Sequence, residues 1–259
     1  MSKQDGLLQF TGPLENLSFY KTKHGYVVRK RSGVPGARVA TDPAFQRSRE
    51  NSWEFGRAGR AGKLLRTAFR NMIRNAADGG VTPRLLREFL KVIKADTISE
   101  RGWRNVMDGD IKIMEHFEFN TARVMSTSFY APLTAAIDRD TGKGTVVIPP
   151  FLPAKEVQAP RGATHVIITC GVSAIDFAGA RFESDEVSSA PLLLDSRFTA
   201  PLTLTVSISP HSPFPLFLAL SIEFVQMVNE RPYPLSDGAY SSMKMMVVSA
   251  PGLERLLHQ

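Results

Sequence analysis

Apolar spacing changes from a helical to a strand period near Asn120, and that change constrains the fold more than any other feature. Before it, Leu65, Ala68, Phe69, Met72, Ile73 and Ala76 recur at steps of three and four, which places them on one face of a helix running from about Phe55 to Ala76. Asp42-Pro43 supplies a cap residue followed by proline, and Asn51 with Glu54 three residues on is a second start signal. Asp78-Gly79-Gly80 ends the helix, and Thr82-Pro83 opens another to about Lys94. Leu85, Leu86, Phe89 and Ile93 form its expected buried face. The stretch from Thr97 to Phe119 reads as a short helix to Val106, then a strand or helix from Ile111.

After Asn120 the period is that of strands. Ala131 to Ile137 and Thr145 to Ile148 flank a hairpin loop, Asp138 to Gly144, and Pro149, Pro150, Pro153 and Pro160 mark an extended connection. His165 to Cys170, Pro191 to Leu194, Pro201 to Ser209, Leu216 to Val228 and Met243 to Val248 read as further strands. Several are apolar on both faces, as where two sheets pack, so a β-sandwich is expected, with a jelly roll as one arrangement of its strands. At the front, short strands are predicted from Leu7 to Arg31. Leu7 to Phe10 precedes a Gly12-Pro13 break, and Leu17 to Lys21 and Tyr26 to Lys30 flank the turn Lys23-His24-Gly25. The expected fold is therefore α+β: a β-hairpin segment at 1–40, two or three basic amphipathic helices at 41–120, and an antiparallel β-sandwich domain at 121–259.

Charge is distributed unevenly over these parts. Residues 1–100 hold 19 Lys/Arg against 9 Asp/Glu, a balance of +10, whereas residues 101–259 hold 13 against 16. Lys21, Lys23, Arg29 and Lys30, with Arg31, crowd the hairpin. On the first helix Arg60, Lys63, Arg66, Arg70 and Arg74 fall opposite the apolar face, and on the second Arg84, Arg87, Lys91 and Lys94 do the same. Arg31 apart, these thirteen cations are the candidate contacts to a nucleic acid or an acidic partner. The competing reading is a solvated basic face that only aids solubility.

Catalytic and metal motifs fail in detail. Gly56 to Lys63 resembles a phosphate loop, but five residues separate Gly56 from Gly62-Lys63 and Leu64 stands where Ser or Thr is needed. Its small residues fit the close approach of another backbone. Asp138 and Asp140, like Asp108 and Asp110, lack calcium-loop spacing and read as turn chemistry. His165 and Cys170 have opposite parity on one strand, so Cys170 reads as a small core residue. No metal site, cofactor or catalytic set is expected, and a non-enzymatic role follows. Cys170 is the sole cysteine, so no intrachain disulfide forms. The N-terminus lacks a secretory pattern, and the most apolar stretch, Phe214 to Val225, is too short for a membrane span and contains Glu223. A cytoplasmic location, or a virion or mobile-element particle, is expected.

Five stretches taken together resemble a group of uncharacterised bacterial proteins. They are Leu17-Ser18-Phe19-Tyr20-Lys21, Asp42-Pro43-Ala44-Phe45, Arg49-Glu50-Asn51 with Glu54-Phe55-Gly56, Ala61 to Arg66, and Gly162-Ala163-Thr164-His165. The resemblance is concentrated in residues 1–75 and implies a bacterial source; it carries no activity and no site residue.

Two functions suit these features. One is a self-assembling structural protein of a virion, filament or shell, whose basic front meets nucleic acid or an acidic neighbour. The other is a monomeric or dimeric nucleic-acid-binding protein using the helix stripes, with DNA or RNA as partner. A ligand-binding β-sandwich is a third reading.

Overall fold

A computed structural model describes residues 2–6, 8–30, 33–229, 231–235 and 240–251; Leu7 and Arg31 of the expected front strands lie outside these. The chain is 27% helical and 35% strand, with antiparallel sheets, one of them curled into a half-barrel. It divides into two units, residues 1–49 and residues 50–259.

In the first unit, strands β1 (Ser2–Lys3), β2 (Gly12–Leu14), β3 (Leu17–Thr22) and β4 (Gly25–Lys30) form one antiparallel sheet in the order β1-β4-β3-β2. The β3–β4 turn forms where the sequence places it. Gly25 takes φ +112°, and the Thr22 hydroxyl accepts from the His24 N–H and donates to the Gly25 carbonyl. Gly12-Pro13, expected as a break, instead enters β2, because an edge strand tolerates a proline with no ladder N–H. After helix α1 (Gly36–Thr41), the Asp42 carboxylate accepts from the Ala44 N–H and caps a 3-10 turn at Pro43–Phe45.

Helix α2 (Gln46–Ala68) follows directly, so the second start signal falls inside it. Glu54 does not fold back on Asn51; its carboxylate accepts the Gly102 N–H at 2.9 Å instead. Phe69 (φ −104°, ψ 29°) interrupts the helix before α3 (Arg70–Ala76), and α4 (Val81–Lys94) comes next. Leu65, Phe69, Met72 and Ala76 are buried on one side, as are Leu85, Phe89 and Ile93 of α4. A side chain at Gly62 would meet Leu85 and Phe89 at 3.7 Å, so the small-residue run marks where α4 crosses α2. No helix forms over 97–106. The Asp96 carboxylate takes the N–H groups of Ile98, Ser99 and Asn105, holding a loop that offers the backbone an alternative to helix. A 3-10 turn at Ile111–Met114 and the short α5 (Met125–Ser128) complete the helical part.

Strands β5 (Thr134–Asp138), β6 (Lys143–Ile148) and, further on, β10 (Leu202–Ser207) form a three-stranded sheet, β10-β6-β5. Between them α6 (Pro153–Glu156) interrupts the proline-rich connection, its proline seated in the first turn. The larger sheet runs β12 (Arg231–Pro234), β11 (Leu216–Val228), β7 (His165–Asp176), β8 (Arg181–Ser188), with β13 (Ser242–Ser249) also on β11 and β9 (Leu192–Leu193) also on β7. Leu216, Leu218, Leu220 and Ile222 share a cluster with Val146, Ile148, Leu204 and Val206 of the smaller sheet. Phe217 and Ala219 point the other way, into a cluster with Met72, Phe89 and Met114. Both faces of β11 are apolar, as expected, but helices rather than a second sheet cover one of them. Each fully buried Leu, Ile, Val, Met or Phe among them contributes roughly 1.5–3 kcal/mol relative to exposure. Two glycines let the layers meet: a Cβ at Gly171 would lie 2.6 Å from Met72 Sδ, and one at Gly144 2.7 Å from Leu218 Cδ1.

Side chains also join the two sheets. Asp185 Oδ2 accepts the Ser207 N–H at 2.8 Å and Glu183 Oε1 the Ser209 N–H at 2.9 Å, so carboxylates of β8 satisfy amides at and just beyond the end of β10. Arg139, in the β5–β6 loop, donates to the carbonyls of Ser212, Phe214 and Ser249 and so ties its loop to the segment before β11 and to the end of β13.

Candidate functional site

The thirteen candidate cations fall into several environments. On the front sheet, paired residues share a face, so Leu17, Phe19, Lys21, Tyr26, Val28 and Lys30 lie on one side and Ser18, Tyr20, Val27 and Arg29 on the other. Lys23 sits exposed in the turn. Lys21 Nζ lies 5.5 Å from the Tyr26 ring centre and the Arg29 guanidinium 5.6 Å from that of Tyr20. Each contact is worth ~0.5–1 kcal/mol at an exposed site and covers one face of its tyrosine.

Burial sets this sheet apart. Among the described residues of 2–49 none is buried. Leu8 is 73% exposed, Leu14 62% and Phe10 56%, although Phe10 makes an edge contact with Phe19 at 5.9 Å. Apolar and cationic side chains thus alternate over both faces of a single layer.

The α2–α3 stripe does not stay uniform. Arg60 and Lys63 are exposed at the mouth of a cavity of about 820 Å3 that is also lined by Leu64, Val106 and Phe177. Arg66 is half-buried, its Nε donating to the Gly62 carbonyl at 3.3 Å. Arg70 lines a second cavity, of about 450 Å3, together with Asp185 and Glu186. Beside it Asn71 Nδ2 donates to Glu186 Oε1 at 2.8 Å. Arg74 is exposed, and its charge acts on Glu223, which also accepts from Asn75. Burial pushes the Glu223 carboxyl above its usual range, the Asn75 hydrogen bond and the Arg74 charge opposing it.

On α4, Arg84 serves the fold. Its Nη1 donates to Asp78 Oδ2 at 2.7 Å and its Nη2 to the Phe119 carbonyl at 2.8 Å, with the guanidinium over the Phe117 ring. Burial raises the Asp78 carboxyl, but hydrogen bonds from Arg84, Thr121 and Gly80 outweigh it and hold the group well below the usual carboxylate range. Arg87 and Lys91 both pair with Glu88, at 3.6 and 2.7 Å, and Lys94 is exposed near the helix end. Such exposed pairs contribute ~0–1 kcal/mol.

The other candidate chemistry resolves into structure. Asp138 accepts from the Asp140 N–H and the Thr141 hydroxyl, and Asp110 from the Lys112 N–H, as turn residues do. Burial, with the Asp185 charge behind it, pushes the Cys170 thiol up to about 12, so it is no nucleophile at neutral pH. Among the described residues no group of three or more His, Cys, Asp or Glu is placed to hold a metal ion, and no helix is long and apolar enough to cross a membrane.

The walls of the larger cavity were not legible in the sequence. Arg57 lies three residues before Arg60 on the same helix side and carried a local signal. Asn105 to Asp108 and Phe177 to Ala180 carried none, since nothing local announces that a loop and a hairpin turn will meet α2. The exposed Trp53 and Trp103, ring centres 6.2 Å apart, also meet only through tertiary structure. No family model matches the chain, and neither does any curated protein or solved structure.

Proposed function

We propose that this is a non-enzymatic, self-assembling structural protein in which residues 1–49 dock on a second copy of the chain. The observation that carries the reading is the absence of a buried residue among the described residues of 2–49. A four-stranded layer with no core of its own gains stability only when another surface covers its apolar side chains. Residues 1–49 carry 9 Lys/Arg against 3 Asp/Glu, and strand β8 presents the exposed Glu183, Asp185 and Glu186. That complementarity selects a second copy as the partner. In this reading the two antiparallel sheets act as a sandwich-like body and the front sheet as its connector, giving a ring, filament or shell. A cytoplasmic setting, or a virion or mobile-element particle, suits a chain that makes no intrachain disulfide.

Nucleic-acid binding draws less support. The tyrosines of the front sheet already carry a cation on one face, and Arg84, Arg87 and Lys91 are paired with carboxylates. The test is light scattering behind size-exclusion chromatography, with absorbance followed at protein and nucleic-acid wavelengths. The expected outcome is a multimer free of nucleic acid, reduced to monomer by Leu14→Glu with Leu17→Glu. A wild-type monomer at every concentration overturns the proposal, and a small species whose nucleic acid is stripped by salt supports the binding protein instead.

A further inference from the structure

The cavity beside α2 lies wholly within residues 50–259 and is lined by α2, residues 105–108 and the β7–β8 turn. Its two walls are fastened without any ligand. Arg57 donates Nε to the Arg104 carbonyl at 2.6 Å and Nη2 to the Gly102 carbonyl, which pins the loop leading to residues 105–108. Across the opening, the Asp176 carboxylate accepts from the N–H groups of Ala178 and Gly179 at 3.1 and 2.8 Å and from Arg181 at 3.0 Å, fixing the β7–β8 turn. Phe177, in that turn, is wedged edge-on against Phe89 and Phe217 with ring centres 5.5 and 6.1 Å away. The site is therefore preformed, and its volume of about 820 Å3 falls within the range that holds small ligands.

Its chemistry is divided. Leu64, Val106, Met107 and Phe177 provide an apolar floor, and Arg60 and Lys63 stand at the rim one helical turn apart. Among the described residues neither cation makes an ion pair. Asp108, which also lines the cavity, is hydrogen-bonded by Asn105 Nδ2 at 2.6 Å. Two adjacent cations on α2, with one carboxylate elsewhere in the lining, favour one anionic group at the α2 side and oppose a chain of phosphates running over the cavity.

We infer that this cavity binds a small molecule with a single carboxylate, sulfonate or sulfate head, held by Arg60 and Lys63, and an aliphatic or aromatic body lying on Leu64, Met107 and Phe177. Titration of the full-length protein with anilinonaphthalene sulfonate, followed by displacement with decanoate, tests it. Saturable binding is expected, with decanoate displacing the dye at least tenfold more effectively than the uncharged decanol. Arg60→Gln with Lys63→Gln weakens both ligands at least tenfold without moving Tm, since both side chains are exposed. Ala178→Trp, in the exposed turn, fills the opening and abolishes displacement. Dye also reports on exposed apolar surface, so the Leu14→Glu, Leu17→Glu protein serves as a control and keeps the signal. Equal displacement by decanol, unchanged affinity in the Arg60/Lys63 variant, or loss of signal in the Leu14/Leu17 variant overturns the inference.

Discussion

Residues 1–49 and residues 50–259 are built from similar strand-forming side chains and end in opposite states of burial. The front sheet pairs Leu17, Phe19, Tyr20, Val27 and Val28 in good antiparallel register, yet all are at least partly exposed. In the second unit, β11 offers the same kinds of residue, and Leu216 to Ile222 are buried without exception. Strand pairing satisfies backbone groups in both. Only β11 has a layer on each side, helices over Phe217 and the smaller sheet over Leu218, and a hydrophobic core requires that second layer. Register and burial are therefore separate achievements, and the front sheet has the first without the second.

The sharpest way to break this contrast is to remove a core side chain. Phe89→Ala, at a fully buried site where α4 meets α2 and the β7–β8 turn, should cost about 3–5 kcal/mol in urea denaturation. A loss below ~1 kcal/mol would mean that the helical layer is not part of the cooperative core.

A smaller effect is expected at Asp78, which joins α4 to the strand-side segment through Arg84 and Thr121. Asp78→Asn should cost about 1–3 kcal/mol at pH 7, because it leaves the partly buried Arg84 guanidinium without its counter-charge. The folded pKa lies below the ordinary value of 3.8, so this stabilisation is complete above that pH and is lost as the pH falls through the folded value. An acid titration of stability should therefore show a shallower decline in the variant, and identical slopes would remove the carboxylate from the account.

The smallest effect belongs to the front sheet. Leu17→Ala should change the stability of an isolated chain by less than ~0.5 kcal/mol, because its side chain is exposed, and under the proposed assembly it should weaken self-association. A loss comparable to that of Phe89→Ala would place Leu17 in a core and erase the distinction between the two units.

Much of the secondary structure was readable because its signals are local. The three- and four-residue spacing from Leu65 to Ala76, the Asp42-Pro43 start and the glycine turn at Gly25 each act within a few residues, and each appears in the structure. Strands β8 and β12 were missed for an equally physical reason. Arg181 to Ser188 is charged and exposed, and Arg231 to Pro234 holds two prolines, so neither displays the apolar alternation that marks a half-buried strand. At the candidate site, Arg60 and Lys63 were found by their helical spacing, but nothing in that spacing distinguished them from Arg84.

Sequence alone determined the turn at Gly25, the capped start at Asp42-Pro43 and which face of α2 to α4 is apolar, since those follow from backbone sterics and side-chain period, but not α1 or the start of α2 at Gln46. Tertiary structure decided what covers each face. It placed helices on one side of β11, turned Glu54 toward Gly102 some fifty residues away, sent Arg84 inward and left Arg60 and Lys63 at a cavity mouth. The reason is that a cation on a solvated face and one aimed at a distant carbonyl, as Arg84 is at Phe119, have the same local chemistry. Only the long-range pairing of segments that are remote along the chain tells them apart.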